Sequence, residues 1–278
     1  MESKKKLENQ VAELVDRLPP MPKNIESLLR SGEDGQHDEE LIALVAQDPG
    51  LCADLLHLAN TLDSTPGTNI ETVAEAVRSI GSMPLIQFVG VWYARKVILK
   101  EFSLLEHLDE YFLHSQEISF GCRILSEVSG VKPHGREVLS VAGLIHDIGR
   151  LVIMLATDKT AADLMGTPWD KMTSIAHDER DFLGMDHCIV GEQICRKWNF
   201  SPYMQEGVLR HHSPLIGDDF SYLGGMIFMT HFVTNSDFTG EMLCHMLPDE
   251  LIGRLGLDSH GFANAREAYF SQKNKMSQ

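Results

Sequence analysis

The chain has 278 residues, with 40 acidic against 24 basic side chains and a formal charge of -16. Hydrophobic residues at 43% and charged residues at 23% are ordinary for a globular protein and exclude general disorder. The acidic balance argues against a nucleic-acid polymer or an anionic membrane surface as partner, because the average field repels phosphate. It leaves room for a local cationic or metal-bearing pocket.

Cys52, Cys122, Cys188, Cys195 and Cys244 are odd in number and scattered, with no CxxC. That usage predicts a reduced, cytoplasmic protein. The polar start, MESKKKLENQ, predicts no signal peptide. The most apolar stretch, residues 139–156, contains His146, Asp147 and Arg150, so no membrane span is expected.

Sustained period-2 alternation is missing and helical spacing runs nearly throughout, which predicts an all-α fold. Leu7, Val11, Leu14, Val15 and Leu18 form one face of a first helix, ended by Pro19, Pro20 and Pro22. A short helix over 24–30 precedes the loop SGEDGQ. Asp38 caps a helix to Gln47, and Pro49 opens the next, LCADLLHLANTL. The loop STPGTN leads to a helix ending at Gly81, and Ser82 with Pro84 opens another. A long helix follows from about 103, carrying Leu104, Leu108, Tyr111, Ser115, Ile118, Cys122 and Leu125 at 3–4 spacing. VKPHG separates it from a helix over 137–155. Later helices are predicted at 186–198, 202–212 and 222–235, with a more polar tail from about 248. The expected organisation is a terminal extension (1–17), an N-terminal helical subdomain (18–102), a second helical subdomain (103–247) and a C-terminal tail (248–278).

Nine of the 13 histidines lie between His107 and His231. The segment LSVAGLIHDIGRLVI is apolar on nearly every face, yet holds adjacent His146 and Asp147. A buried carboxylate must be paired or bound to a metal. An Asp–His pair, or an Asp–Arg pair with Arg150, would serve as well as an ion. His114 sits on the apolar side of the long helix, where a lone histidine is more often core. His187 begins a helix beside a natural cap, Asp186. His211 and His212 end one, where imidazolium is favourable by itself. His231 lies in the apolar GGMIFMTHFVTN. Each has an ordinary explanation singly. Together they put several polar groups on inward faces of successive helices, a known way to build a metal site in a helical bundle. Imidazoles with one carboxylate suit Fe, Zn, Ni, Co or Mn and disfavour calcium.

The order His114, His146-Asp147, His187, His211-His212 resembles the HD superfamily of metal-dependent phosphohydrolases. More specifically, the chain resembles an HDOD (HD-related output domain) protein through LPPMP, DPGLCADLLHLANT, AVRSIGSMPL, GLIHDIGRL, GMDHCIVGEQICRKW and HHSP, in that order. The resemblance implies an N-terminal helical bundle packed on an HD-like bundle, in a cytoplasmic bacterial signalling context. It implies one metal position from His114, His146 and Asp147, and a second, bridged by Asp147, from His187, His211 and His212.

Two departures stand out. His231 occupies the register where the superfamily usually has an Asp, which would leave Asp147 the only carboxylate beside one or two divalent ions. HHSPLIGDDF lacks the RxxGxxYP continuation of the HD-GYP branch, so cyclic-di-GMP hydrolysis of that type is not supported. Arg150 stands where that branch has a lysine and is a candidate phosphate contact. The resemblance leaves three functions open. They are a phosphohydrolase on a nucleotide or other small phosphoester, with Asp147 and Arg150 as catalytic residues; a non-catalytic module binding a signalling protein partner; and a metal-sensing regulator.

Overall fold

The computed structural model describes residues 2–30, 38–62, 69–101, 108–157, 175–236 and 247–276. The readings at 31–36, 64–68 and 103–107 lie outside them. The described chain is helical apart from one two-stranded hairpin, Leu215–Ile216 (β1) with Asp219–Phe220 (β2).

The first group of helices comprises α1 (Glu2–Arg17), α2 (Lys23–Arg30), α3 (Asp38–Val45), α4 (Pro49–Leu62), α5 (Val73–Ile80) and α6 (Ser82–Glu101). Helices α2 to α5 gather around α6, with Leu28, Leu41, Leu55, Ala76 and Val89 among their buried contacts. The polar residues of DPGLCADLLHLANT build this group. Asp48 caps α4 by accepting from the Gly50 and Leu51 amides at 3.0 and 3.2 Å and pairs with Lys96 at 3.1 Å. Asn60 both donates to Ile70 O and accepts from Ile70 N at 2.8 Å, tying α4 to the segment before α5. Thr72 and Glu75 close a capping box on α5, and Gly81 ends that helix with a φ of 96°.

The second group comprises α7 (Leu108–Val128), α8 (Pro133–Ile145), α9 (Ile148–Thr157), α10 (Ile175–Leu183), α11 (His187–Lys197), α12 (Pro202–Arg210), α13 (Tyr222–Thr234), α14 (Asp249–Arg254) and α15 (Ser259–Met276). Helices α7, α8 and α13 pack together, α15 lies on α7 and α13, and α11 joins α9 to α12. Helix α13 is buried from Leu223 to Val233, as its continuous apolar sequence requires. Helix α6 rests on α8 and connects the two groups. Helix α1 leaves its sequence neighbours and packs on α9, α10 and α11.

Two sequence readings are corrected. The helix predicted over 137–155 is two helices, with the chain turning at His146-Asp147 between α8 and α9. The Arg150 amide there bonds Asp147 O at 2.9 Å, a tighter turn than an α-helix makes. Helix α10, in the polar segment IAHDERDFL, was not anticipated at all. Residues 138–157 are apolar and long enough to cross a membrane by composition, and 83% of the most apolar window is buried within the fold.

Candidate metal centre

The centre forms where α7, the α8–α9 turn, the start of α11, the end of α12 and α13 converge. His114 comes from α7 and His231 from α13. His146 and Asp147 are the turn itself. His187 opens α11, whose first turn is capped by Asp186 accepting from the Ile189 amide at 2.8 Å. His211 and His212 follow α12 directly.

Two glycines allow this convergence. A Cβ at Gly143 would stand 2.8 Å from the Ser119 backbone, so α8 can lie against α7 only with glycine there. A Cβ at Gly149 would stand 1.9 Å from His187 O and 2.6 Å from Gly191 N. The start of α9 therefore touches the first turns of α11, and that contact brings His187 to Asp147.

Asp147, 1% exposed, is the hub. Its Oδ2 faces His146 Nε2 at 3.4 Å and His114 Nε2 at 3.6 Å. Its Oδ1 faces His187 Nε2 at 3.2 Å and His211 Nε2 at 3.4 Å. The donor atoms fall into two groups whose members lie within 4.8 Å of one another: His114, His146 and His231, and Asp147, His187, His211 and His212. All seven metal ligands expected from the sequence are thus brought together. His231 joins the first group, with its ring 5.3 Å from that of His114 and 5.0 Å from that of His146, centroid to centroid.

The outer nitrogens of four rings are anchored. Nδ1 of His146 donates to Gly143 O at 2.8 Å, that of His211 to Val208 O at 2.7 Å and that of His231 to Ile227 O at 2.9 Å. His187 Nδ1 donates to Glu179 Oε2 at 2.5 Å, and the same oxygen accepts from the His187 amide at 2.9 Å. A proton fixed on Nδ1 leaves Nε2 with its lone pair directed inward, the tautomer that metal-bound histidines use. Glu179 is a member of the site that sequence reasoning missed.

Burial, aided by the neighbouring imidazoles, pushes the pKa of His114, His212 and His231 down and keeps them neutral. Burial also lowers that of His146, against the pull of Asp147. Burial alone would raise the Asp147 carboxyl, but Arg150 and His146 hold it well below the usual range. Glu179 is likewise lowered, to about 2, because His187 outweighs its desolvation. His187 and His211 go the other way. Despite burial, Cys188, with Glu179 beside His187, raises His187 well above its ordinary value, and Cys188 and Asp147 raise His211 to about 9. Their Nε2 atoms approach to 3.1 Å, a distance that calls for a shared proton or a shared metal ion.

The residues fit a metal. The buried His146 Nε2 makes no hydrogen bond of good geometry, an expensive arrangement for a polar atom that binds nothing. The donor set, imidazoles and one ionised carboxylate, suits a divalent transition metal. Arg150, 4% exposed, places Nε 3.0 Å from Asp147 Oδ1, so its guanidinium lies against the carboxylate.

The fold and this centre define an all-α protein with a buried, histidine-rich cluster around one carboxylate, whose donor atoms lie close enough together to hold a metal ion. The HDOD domain profile matches residues 18–214, and the chain belongs to the HDOD family. Solved structures similar to it include a candidate phosphohydrolase from Shewanella amazonensis SB2B, 24% identical over 93% of both chains with a TM-score of 0.66. An HDOD domain protein of unknown function from Geobacter sulfurreducens is 20% identical, with a TM-score of 0.68 over 98% of this chain and 96% of its own. A candidate metal-dependent phosphohydrolase from Shewanella amazonensis SB2B is 20% identical, with a TM-score of 0.59 over 97% of this chain and all of its own. These likenesses are of fold. An uncharacterized protein of Treponema pallidum (strain Nichols) is 22% identical over 211 residues, 75% of this chain, and the chain spans 40% of that relative's length.

Proposed function

We propose that the chain is a cytoplasmic signalling-type HDOD protein that hydrolyses a nucleotide or other small phosphoester at a divalent metal centre. The observation that carries this reading is the division of Asp147. One carboxylate oxygen faces His114 and His146, and the other faces His187 and His211. A single ion would need only one of these sets, so the arrangement supports two.

When bound, such ions activate a water for attack and stabilise charge on a phosphoryl group. The protein's own groups do the rest. Glu179 holds His187 in its ligating tautomer. Arg150 keeps Asp147 ionised through its Nε contact and, in this reading, is also the residue that contacts the phosphate. With only one carboxylate among the ligands, the loaded centre is strongly positive and suited to a phosphate anion. A metal-sensing role is favoured by one observation: apart from His114, whose side chain is 26% exposed, the ligands are almost wholly buried.

Untagged protein is assayed for metal by inductively coupled plasma mass spectrometry, then loaded with Mn or Fe and given bis-p-nitrophenyl phosphate and a nucleotide panel. The expected result is up to two ions per chain and metal-dependent turnover. In Asp147→Asn, both metal content and turnover fall at least tenfold. Metal retained without turnover on any phosphoester supports sensing and overturns the hydrolase reading. Failure of folded protein to take metal overturns both.

A further inference from the structure

A cavity of about 410 Å³ opens between α4 and α6 of the first helical group and α7, α8, the start of α9 and α15 of the second. That is the size of a small-molecule site, typically about 300–1,000 Å³. None of the seven centre residues lines it.

Its walls have two characters. Phe88, Trp92, Phe112, Phe120 and Tyr269 make an aromatic interior. Ser115, 3% exposed, places a hydroxyl in this interior. At the edges stand Arg95, Arg123 and Lys273, a cluster of cations in a protein with a net charge of -16. The nearby anions are already engaged: Glu117 with Lys273, and Asp54 with the Trp92 indole at 3.0 Å. Arg123 donates to Gln272 at 3.0 Å. Arg95 differs. It is exposed, its guanidinium lies 4.5 Å from the centre of the Phe112 ring, and among the described residues it has no carboxylate partner.

We propose that this cavity binds an amphipathic organic anion, with an apolar ring or chain among the aromatic side chains and one carboxylate- or sulfonate-type head at Arg95. The apolar area supplies affinity and the cation selects the head group. On α7, Tyr111 and Ser115 bracket His114. Ile145 and Ile148 bracket His146-Asp147. A bound molecule would therefore rest on the helix turns that carry the metal ligands without touching the ligands.

The test uses the full chain and two probes of similar shape. One is 8-anilinonaphthalene-1-sulfonate, which carries the anionic head, and the other is uncharged N-phenyl-1-naphthylamine. Fluorescence titration should show one saturable site per chain for both, with decanoate displacing the sulfonate probe. Arg95→Glu should weaken the sulfonate probe at least tenfold and leave the neutral probe within twofold. Arg95→Gln should act in the same direction, more weakly. Gln116→Trp, at an exposed lining position, should weaken both probes at least tenfold. Circular dichroism and Tm equal to wild type establish that each variant is folded. Non-saturable binding, or equal sulfonate affinity in folded wild type and Arg95→Glu, overturns the proposal. So does unchanged binding of both probes in Gln116→Trp.

Discussion

Glu179 and Gly149 never enter the ligand set, yet each fixes where a ligand stands. The Glu179 carboxylate, bonded at once to the His187 ring and amide, holds the imidazole with Nε2 inward. Glu179→Gln can still accept one of these bonds but loses the charge that raises the basicity of the ring. The expected result is a 10- to 100-fold loss of metal affinity, as for other carboxylates behind ligating histidines, with little change in Tm of the metal-free protein. Competition against a chromogenic chelator measures it; unchanged affinity removes Glu179 from the centre. Gly149→Ala acts through space instead. A methyl group 1.9 Å from His187 O must push α9 and α11 apart. We expect a loss of about 1–3 kcal/mol in urea unfolding, together with lower metal content. Stability and metal content both at wild-type values would show that the helix contact can relax without moving His187. At this scale the sequence was legible for the histidines and Asp147, because polar groups inside apolar helical stripes violate patterning and demand a reason. Glu179 gave no such signal. Its helix reads as IAHDERDFL, in which a charged residue is unremarkable until the fold turns that face inward.

At the scale of elements, the sequence predicted most helices through their stop signals. The prolines after Leu18 and the glycine at 81 each bound an element in the structure. The break at His146-Asp147 was not legible. Apolar periodicity continues from α8 into α9 without a glycine or proline at the junction, and Gly149 lies beyond it. The cause is the packing around the turn, which points both side chains at one centre, and local sequence carries no trace of it. The same applies to the motif DPGLCADLLHLANT. Its Asp48 and Asn60 could have been functional; in the fold they cap α4 and bind Ile70, so the motif builds the N-terminal group.

At the scale of the whole molecule, α1 couples the chain's start to the metal-bearing half. Val11 and Val15 are buried at 1% and 6% exposure, and half-buried Leu7 and Leu14 pack against the same core. Two specific links add to this: Lys197 donates to Asp16 O in the last turn of α1 at 3.0 Å, and the Trp198 indole donates to Pro19 O just beyond it at 3.0 Å. LPPMP and GMDHCIVGEQICRKW, nearly 180 residues apart in the chain, thus meet at the end of α11, a contact that no local pattern could announce. Burying a valine is worth roughly 1.5–3 kcal/mol, so the two valines alone account for roughly 3–6 kcal/mol. The whole stability of a domain is only about 5–15 kcal/mol. Deleting residues 2–17 would also uncover α9 and α11, the helices whose contact places His187. The expected outcome is a chain whose Tm falls by 10 °C or more and whose metal content falls with it, since a loosened α9–α11 contact moves His187 from Asp147. Val15→Ala should shift both in the same direction by a smaller amount. A deletion variant that melts and binds metal as the intact chain does would show that α1 is a passive extension, and that the second helical group holds its centre unaided.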